Sequence, residues 1–321
     1  MKTESAVLNN LKGIGLALTA TMLFSSAYPV FANETKNLVA STSFFWFSCF
    51  ACLASWIFFR PEQKWSESIK QGGKIWLATD VCFYCLQFFC TLIALKQQQT
   101  GTALTVIVIM ALRAPATTIA GYFITKDSCQ RWLVYWFGTI LVVLGIFLYR
   151  LDVLQESGFG SLDLVTKLSL CGTLLSSLDT ATRKRYRNTY KIDPANAVRS
   201  VFSAAVVLSF CWMMFDVSTN QVSPWPISRE WLALAYLGIL PTTLASIWLN
   251  KAEDRLSIPI TQSILSSMPV FTLALGLIPL SCFVQNRQLG LTHGAGLLLA
   301  IIGAAIVTAF AGVKERFPKS E

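Results

Sequence analysis

The sequence predicts an all-α membrane protein of ten transmembrane helices, arranged as two inverted five-helix repeats with both termini in the cytoplasm. Three observations lead there. Of 321 residues, 54% are hydrophobic and only 13% are charged, against about 25% charged in an ordinary soluble domain. Ten apolar runs approach the roughly 20 residues that a helix needs to cross a bilayer. Lysine and arginine alternate between dense and sparse from one connection to the next.

The runs cover about 11–31, 38–59, 75–95, 101–125, 132–149, 161–182, 195–215, 231–250, 257–281 and 290–312. The first, behind Lys2 and Lys12 and ending in VFA (30–32), is similar to a secretory leader with a small-residue cleavage site. The Thr, Ser, Tyr and Pro of LALTATMLFSSAYPVF favour a retained helix on a polar interior. The second and third carry CFAC (49–52) and CFYC (82–85), spacings that thiolate metal sites use. Here they fall within helices and lack the turns of a zinc knuckle. They are read as small apolar side chains, and no metal or other cofactor is expected.

The net charge of +9 follows the connections. With a cytoplasmic N-terminus, eighteen of the 26 Lys and Arg fall on the cytoplasmic side, including Lys126, Arg131 and the run TRKRYRNTYK (182–191), and six on the outer side. That asymmetry is the positive-inside rule, so the basic run is expected to anchor topology in a loop. The lipid bilayer, and no nucleic acid, is the partner that this pattern implies.

The fifth run contains GTILVVLGIFLY (138–149) and the tenth GLLLAIIGAAIV (296–307), each with two glycines spaced by six mostly aliphatic residues. Upstream, Pro115 interrupts the fourth run and Pro269 the ninth. Five spans followed by five related spans must point in opposite directions, which gives repeats over 1–150 and 151–321 that form one domain. Inverted repeats with helices broken near the midplane characterise secondary transporters. Gly296, Ala300 and Ala304 recur every four residues, a face for close helix packing that suits internal contacts or a homodimer through the tenth span.

ALKQQQTGTALTVIVIMALRAP (94–115) with GTILVVLG, and KAEDRLSIPITQSILSSMPV (251–270) with GLLLAIIG, resemble the two repeats of the drug/metabolite transporter superfamily, EamA type. The resemblance extends over nearly the whole chain and implies a ten-helix transporter with a central cavity between its halves. Members often carry a Glu after the fourth and ninth spans. Here those places read ITKDSCQRW and FVQNRQLG, with Asp127 the nearest acid in the first.

A cavity requires helices with one polar face. In the third span Asp80, Tyr84, Gln87 and Thr91 form a stripe; in the fourth Thr102, Thr105, Arg113 and Thr117 do. Others are Ser169, Thr173, Ser176 and Thr180; Thr243, Ser246 and Asn250; and Gln262, Ser263 and Ser266. Arg113 carries the most weight, because a guanidinium stays charged and a charge at the bilayer centre usually faces a bundle interior or water. Counting along the helices puts Arg113 and Asp80 within about 4 Å of one depth. Two uses are open: an Arg113–Asp80 pair that locks the helices, or an arginine that holds a carboxylate or phosphate of the substrate, with Asp80 as counter-ion or proton site.

Asp179 and Arg199, near the cytoplasmic ends of the sixth and seventh spans, are expected to snorkel or to pair across the loop, and His293 to be incidental. A single histidine excludes an HExxH metalloprotease. Asp152 with Glu156 lacks the basic company of a metal-dependent transferase, and no filter signature marks a channel. The expectation is a secondary carrier, not an enzyme, for a small polar metabolite in the bacterial inner membrane. Its expected site is Arg113, Asp80, Tyr84, Gln87, Thr117, Asn250, Gln262 and Ser266; the alternative cargo is a cationic or neutral drug.

Overall fold

The computed structural model describes residues 2–59, 67, 74–97, 102–125, 132–149, 163–220, 222–256, 258–276 and 290–311. Asp127, the Asp152 and Glu156 pair, and the basic residues Arg60, Lys64, Lys70, Lys126, Arg131, Arg150, Arg287, Lys314, Arg316 and Lys319 lie outside them. Helices stand at each of the ten places that the sequence marks. They are α1 Lys2–Glu34, α2 Ala40–Ile57, α3 Lys74–Leu95, α4 Thr102–Ile109, α5 Arg113–Ile124, α6 Trp132–Tyr149 and α7 Leu164–Tyr190. There follow α8 Pro194–Asn220, α9 Ser228–Leu237, α10 Ala245–Arg255, α11 Ile258–Leu265, α12 Met268–Gly276 and α13 Leu291–Ala311.

Among the described residues, six stretches are long and apolar enough to cross a membrane, and Trp136–Tyr149 and Leu291–Ile306 are shorter apolar helices. Large apolar side chains face outward, with Phe123 75% and Leu232 76% exposed. Outward-facing side chains of that kind need lipid, not water, around them. This is a multi-pass membrane protein.

Three of the ten helical places are interrupted. A 3-10 turn, Met110–Leu112, separates α4 from α5 and puts Pro115 in the first turn of α5. There its missing N–H costs nothing. Ser266 and Ser267 separate α11 from α12, and Pro269 again falls in a first turn. The third break was not anticipated from sequence: a π segment, Gly238–Leu244, joins α9 to α10 around Pro241. Proline removes a helical donor, and the wide turn accommodates the loss. Thr243 Oγ1 shares its proton between the Gly238 carbonyl at 2.9 Å and the Ala51 carbonyl of α2 at 3.0 Å.

The run 182–191, read from sequence as a loop, is the last third of α7. Asp163 caps its start by accepting from Thr166 N at 3.3 Å, and Lys191 ends it in the left-handed conformation at φ 50°. The basic residues stay helical because several find partners on neighbouring helices.

The helices pack in a regular scheme: α3 on α7, α1 on α10, α2 on α8, α5 on α7, α1 on α12, and α6 on α13. The last contact is backbone to backbone. A Cβ on Gly145 would come within 2.4 Å of Ala300 N, one on Gly296 within 2.5 Å of Tyr149 N, and one on Gly303 within 2.5 Å of the Gly138 carbonyl. The small face of the tenth span is therefore covered within the chain, and a second copy would have to meet its other face.

Candidate functional site

A cavity lies between α1, α2, α3, α5, α7, the α9–α10 segment and the start of α12. Its upper wall is aromatic. Phe24, Tyr28 and Phe31 come from α1, Phe47 from α2, and Tyr84 and Phe88 from α3. The rings support one another: Phe47 and Phe88 lie 5.4 Å apart between centroids, and Tyr84 and Phe88 4.7 Å. Aromatic pairs at such separations contribute beyond their area. The polar members Gln87, Thr91, Ser176, Thr242 and Ser246 dot this wall, and the floor is charged, formed by Arg113, Asp179 and Arg183.

Arg113 starts α5, directly after the 3-10 turn. Its Nη2 donates to Thr180 Oγ1 at 2.7 Å, and the Thr180 hydroxyl passes its own proton to the Ser176 carbonyl at 2.9 Å. Its Nε is buried without a hydrogen-bond partner among the described residues. Arg113 as a whole is half-buried and lines the cavity, where a guanidinium suits an anionic acceptor.

Arg183 stands one helical turn beyond Asp179. Its Nη2 donates to Asp179 Oδ1 at 2.6 Å, and its Nε lies 3.4 Å from both oxygens of Asp80 on α3. Asp80 is fully buried, and its Oδ1 accepts no hydrogen bond among the described residues. The expected Arg113–Asp80 pair is therefore corrected: α3 packs closely on α7, and the long side chain of Arg183 fills the place beside Asp80. Asp179 is corrected as well, since it is buried in this cluster and does not snorkel. Arg199 donates to the Ser55 carbonyl at 2.9 Å and to the Phe59 carbonyl, over the Trp56 ring.

One turn further, Arg187 is buried in a second cluster. Its Nη1 donates to Asn250 Oδ1 at 3.0 Å and its Nη2 to the Asn250 carbonyl at 3.1 Å and to Asp254. Glu253 stands 3.7 Å away and accepts from Gln262 Nε2 at 3.2 Å. Arg185 donates to the Ile124 carbonyl at 3.0 Å. These arginines thus tie α7 to α3 through Arg183, to α5 through Arg185 and to α10 through Arg187.

Of the eight candidate residues, Arg113, Tyr84 and Gln87 line the cavity. Asp80 lies behind its floor. Asn250 and Gln262 belong to the Arg187 cluster, and Ser266 donates to the Gln262 carbonyl at 2.9 Å. Thr117 is buried with its hydroxyl unpartnered among the described residues. The side chains of Thr102 and Ser263 lie outside the described residues. Sequence reasoning missed Tyr28, Arg183 and Arg187. Asp179, Arg183 and Arg187 recur every four residues, and that spacing was the available signal.

At the opposite end, beyond Leu95, Lys96 donates to the Thr35 carbonyl and to Thr35 Oγ1 at 3.0 Å, with Nζ 4.8 Å from the Phe31 ring centre. Burial pushes its ammonium down to about 7, against the pull of the Glu230 charge. Cys49 and Cys52 on α2 do not join Cys82 and Cys85 on α3. No group that could hold a metal occurs among the described residues.

Residues 166–309 match a family model described as the EamA-like transporter family. A solved crystal structure superposes with a TM-score of 0.57 at 17% identity, over 96% of this chain and 98% of its own. At that identity the likeness is one of fold. No curated protein matches the sequence.

Proposed function

We propose that this chain, whose residues 166–309 match the EamA-like transporter family, is a secondary carrier of the drug/metabolite transporter superfamily for a small carboxylate- or phosphate-bearing metabolite. It works by alternating access across the inner membrane of a bacterium. Ten crossings and cytoplasmic termini complete the reading, supported by the basic residues that gather in alternate connections. The packing scheme supports inverted halves, because exchanging first-half spans for their second-half equivalents turns α3 on α7 into α10 on α1.

One observation carries the cargo assignment: Arg113, half-buried and always charged, lines the floor of the cavity. A carboxylate there gains charge-assisted hydrogen bonds, while the aromatic wall takes the organic part of the solute. Below the floor the clusters of Arg183 and Arg187 hold the bundle shut, as a carrier open to one side requires.

Counterflow in proteoliposomes tests this, with radiolabelled 3-phenyllactate as the anionic probe and tetraphenylphosphonium as the cationic one. Exchange of phenyllactate that Arg113→Ala abolishes, in protein that still inserts, is the expected result. Phenyllactate exchange that survives Arg113→Ala removes the arginine from the reading. Exchange of the cation instead supports the second reading, efflux of cationic or neutral aromatic compounds, which the ring-lined wall and Asp179 favour.

A further inference from the structure

The charges under the cavity balance. Arg113 and Arg183 face Asp80 and Asp179, two positive groups against two negative ones, in an interior where an uncompensated charge is expensive. In the adjoining cluster Arg187 faces both Glu253 and Asp254, of which Asp254 is half exposed and Glu253 also lies within the field of Arg113 and Arg183. An anion that docks on Arg113 disturbs the balance, leaving three negative groups on two guanidinium ions. The bilayer interior offers no counter-ion to restore it. A proton does.

We propose that the Asp80–Asp179 pair takes up one proton for each anion that docks on Arg113, so that the chain moves anionic cargo and a proton together. The inference rests on the carrier reading above. The two carboxyl groups meet on one guanidinium, Asp179 at 2.6 Å and Asp80 at 3.4 Å from Arg183. Asp179 lines the cavity and Asp80 does not, so the proton enters from the cavity onto Asp179. Asp80 Oδ1, buried and without a donor among the described residues, then accepts a hydrogen bond from the protonated Asp179. A protonated carboxyl donating to a carboxylate is a strong, charge-assisted pair. The proton thus fills a vacancy in the hydrogen bonding as well as in the charge.

Other groups near Asp179 do not take over this role. On its own helix it faces Arg183; from α3 come Asp80, Tyr84 and Cys85; from α5 comes Arg113. Tyr28 of α1 stands near Arg113 and donates to Met110 Sδ at 2.7 Å. α4 has no titratable residue, and Arg199 of α8 is turned to the carbonyls of Ser55 and Phe59. Glu253 of α10 also acts on Arg113 and Arg183, but it is held by Arg187 and by Gln262 Nε2; of these acids it is Asp179 that lines the cavity.

Removing the charge of Arg113 should act on the pair as bound cargo does, which gives a test that needs no cargo. Infrared spectra of the purified full-length protein at pH 7 are compared for wild type, Arg113→Lys, Arg113→Gln and Arg113→Gln with Asp179→Asn. One protonated carboxyl band per chain is expected in Arg113→Gln alone. A spectrum of Arg113→Gln without that band, or a band that survives Asp179→Asn, overturns the proposal. Should Arg113→Gln fail to fold, wild-type proteoliposomes decide: electroneutral co-transport accumulates 3-phenyllactate about tenfold per unit of pH gradient. Arg113-dependent exchange that ignores the pH gradient and follows membrane voltage ends the proton inference and leaves the carrier reading intact. Absence of any exchange ends the carrier reading, while the infrared bands still judge the pair.

Discussion

Arg183 of α7 reaches Asp80 of α3 across the two halves of the chain, with Nε 3.4 Å from the carboxylate and Asp80 fully buried. The same guanidinium holds Asp179 at 2.6 Å. Breaking a buried pair from one side leaves the other charge stranded. Arg183→Gln should therefore cost about 3–5 kcal/mol of stability, and Asp80→Asn placed in the same chain should restore part of it. Reversible unfolding in mixed micelles measures both. A double variant less stable than Arg183→Gln alone contradicts the pairing.

Glycines give a graded comparison. Gly145→Ala drives a methyl to within 2.4 Å of Ala300 N and 2.5 Å of the Gly296 carbonyl, where backbone must shift. Overpacking of this kind costs about 1–3 kcal/mol. Gly294→Ala meets nothing within 4 Å near the start of α13, and the gain in helix propensity makes it neutral or stabilising by about 0.5–1 kcal/mol. Thermal unfolding of the two variants should separate them in that order.

Lys96 predicts a pH dependence. Burial holds its ammonium down to about 7, from an ordinary 10.5. Between those values the unfolded chain binds a proton that the folded chain does not, so stability rises with pH through that window and is lowest below pH 7. Lys96→Met should abolish this rise and be no less stable than wild type at pH 7. Melting curves collected from pH 6 to pH 10 test it; an unchanged slope in the variant refutes the assignment.

The π segment depends on two residues. A Cβ on Gly238 would lie 2.5 Å from the Phe47 carbonyl, so Gly238→Ala should push α2 away. Thr243→Val leaves the Gly238 and Ala51 carbonyls without their shared donor and should cost about 1–3 kcal/mol. A Thr243→Ser variant keeps the hydroxyl and should recover most of that loss. Equal melting temperatures for the Val and Ser variants would show that the hydroxyl is idle.

Much of the architecture was legible in composition and spacing. The runs around Arg113 and Pro115 and around Pro269 mark the split helices, because an apolar stretch interrupted by proline has few other solutions in a bilayer. Gly138, Gly145, Gly296 and Gly303 mark the contact of α6 with α13. The π segment was not legible, since Pro241 alone does not distinguish a kink from a wide turn. The site was only half readable. Periodicity puts Tyr84, Gln87 and Arg113 on polar faces, but a period does not say which neighbour arrives first. Arg183 and Arg187 were assigned to a loop because basic residues usually gather at membrane surfaces. Here the acids Asp80, Asp179, Glu253 and Asp254 draw them inward, a tertiary effect with no local signature.

The glycine contact has a mechanical corollary. Among the described residues none of α6 or α13 lines the cavity, and their main chains meet directly at Gly145, Gly296 and Gly303. They form a spine apart from the cavity. Under the carrier reading proposed above, opening toward either face of the bilayer would turn the other helices about that spine, and a load placed there should stall turnover without touching the solute at all.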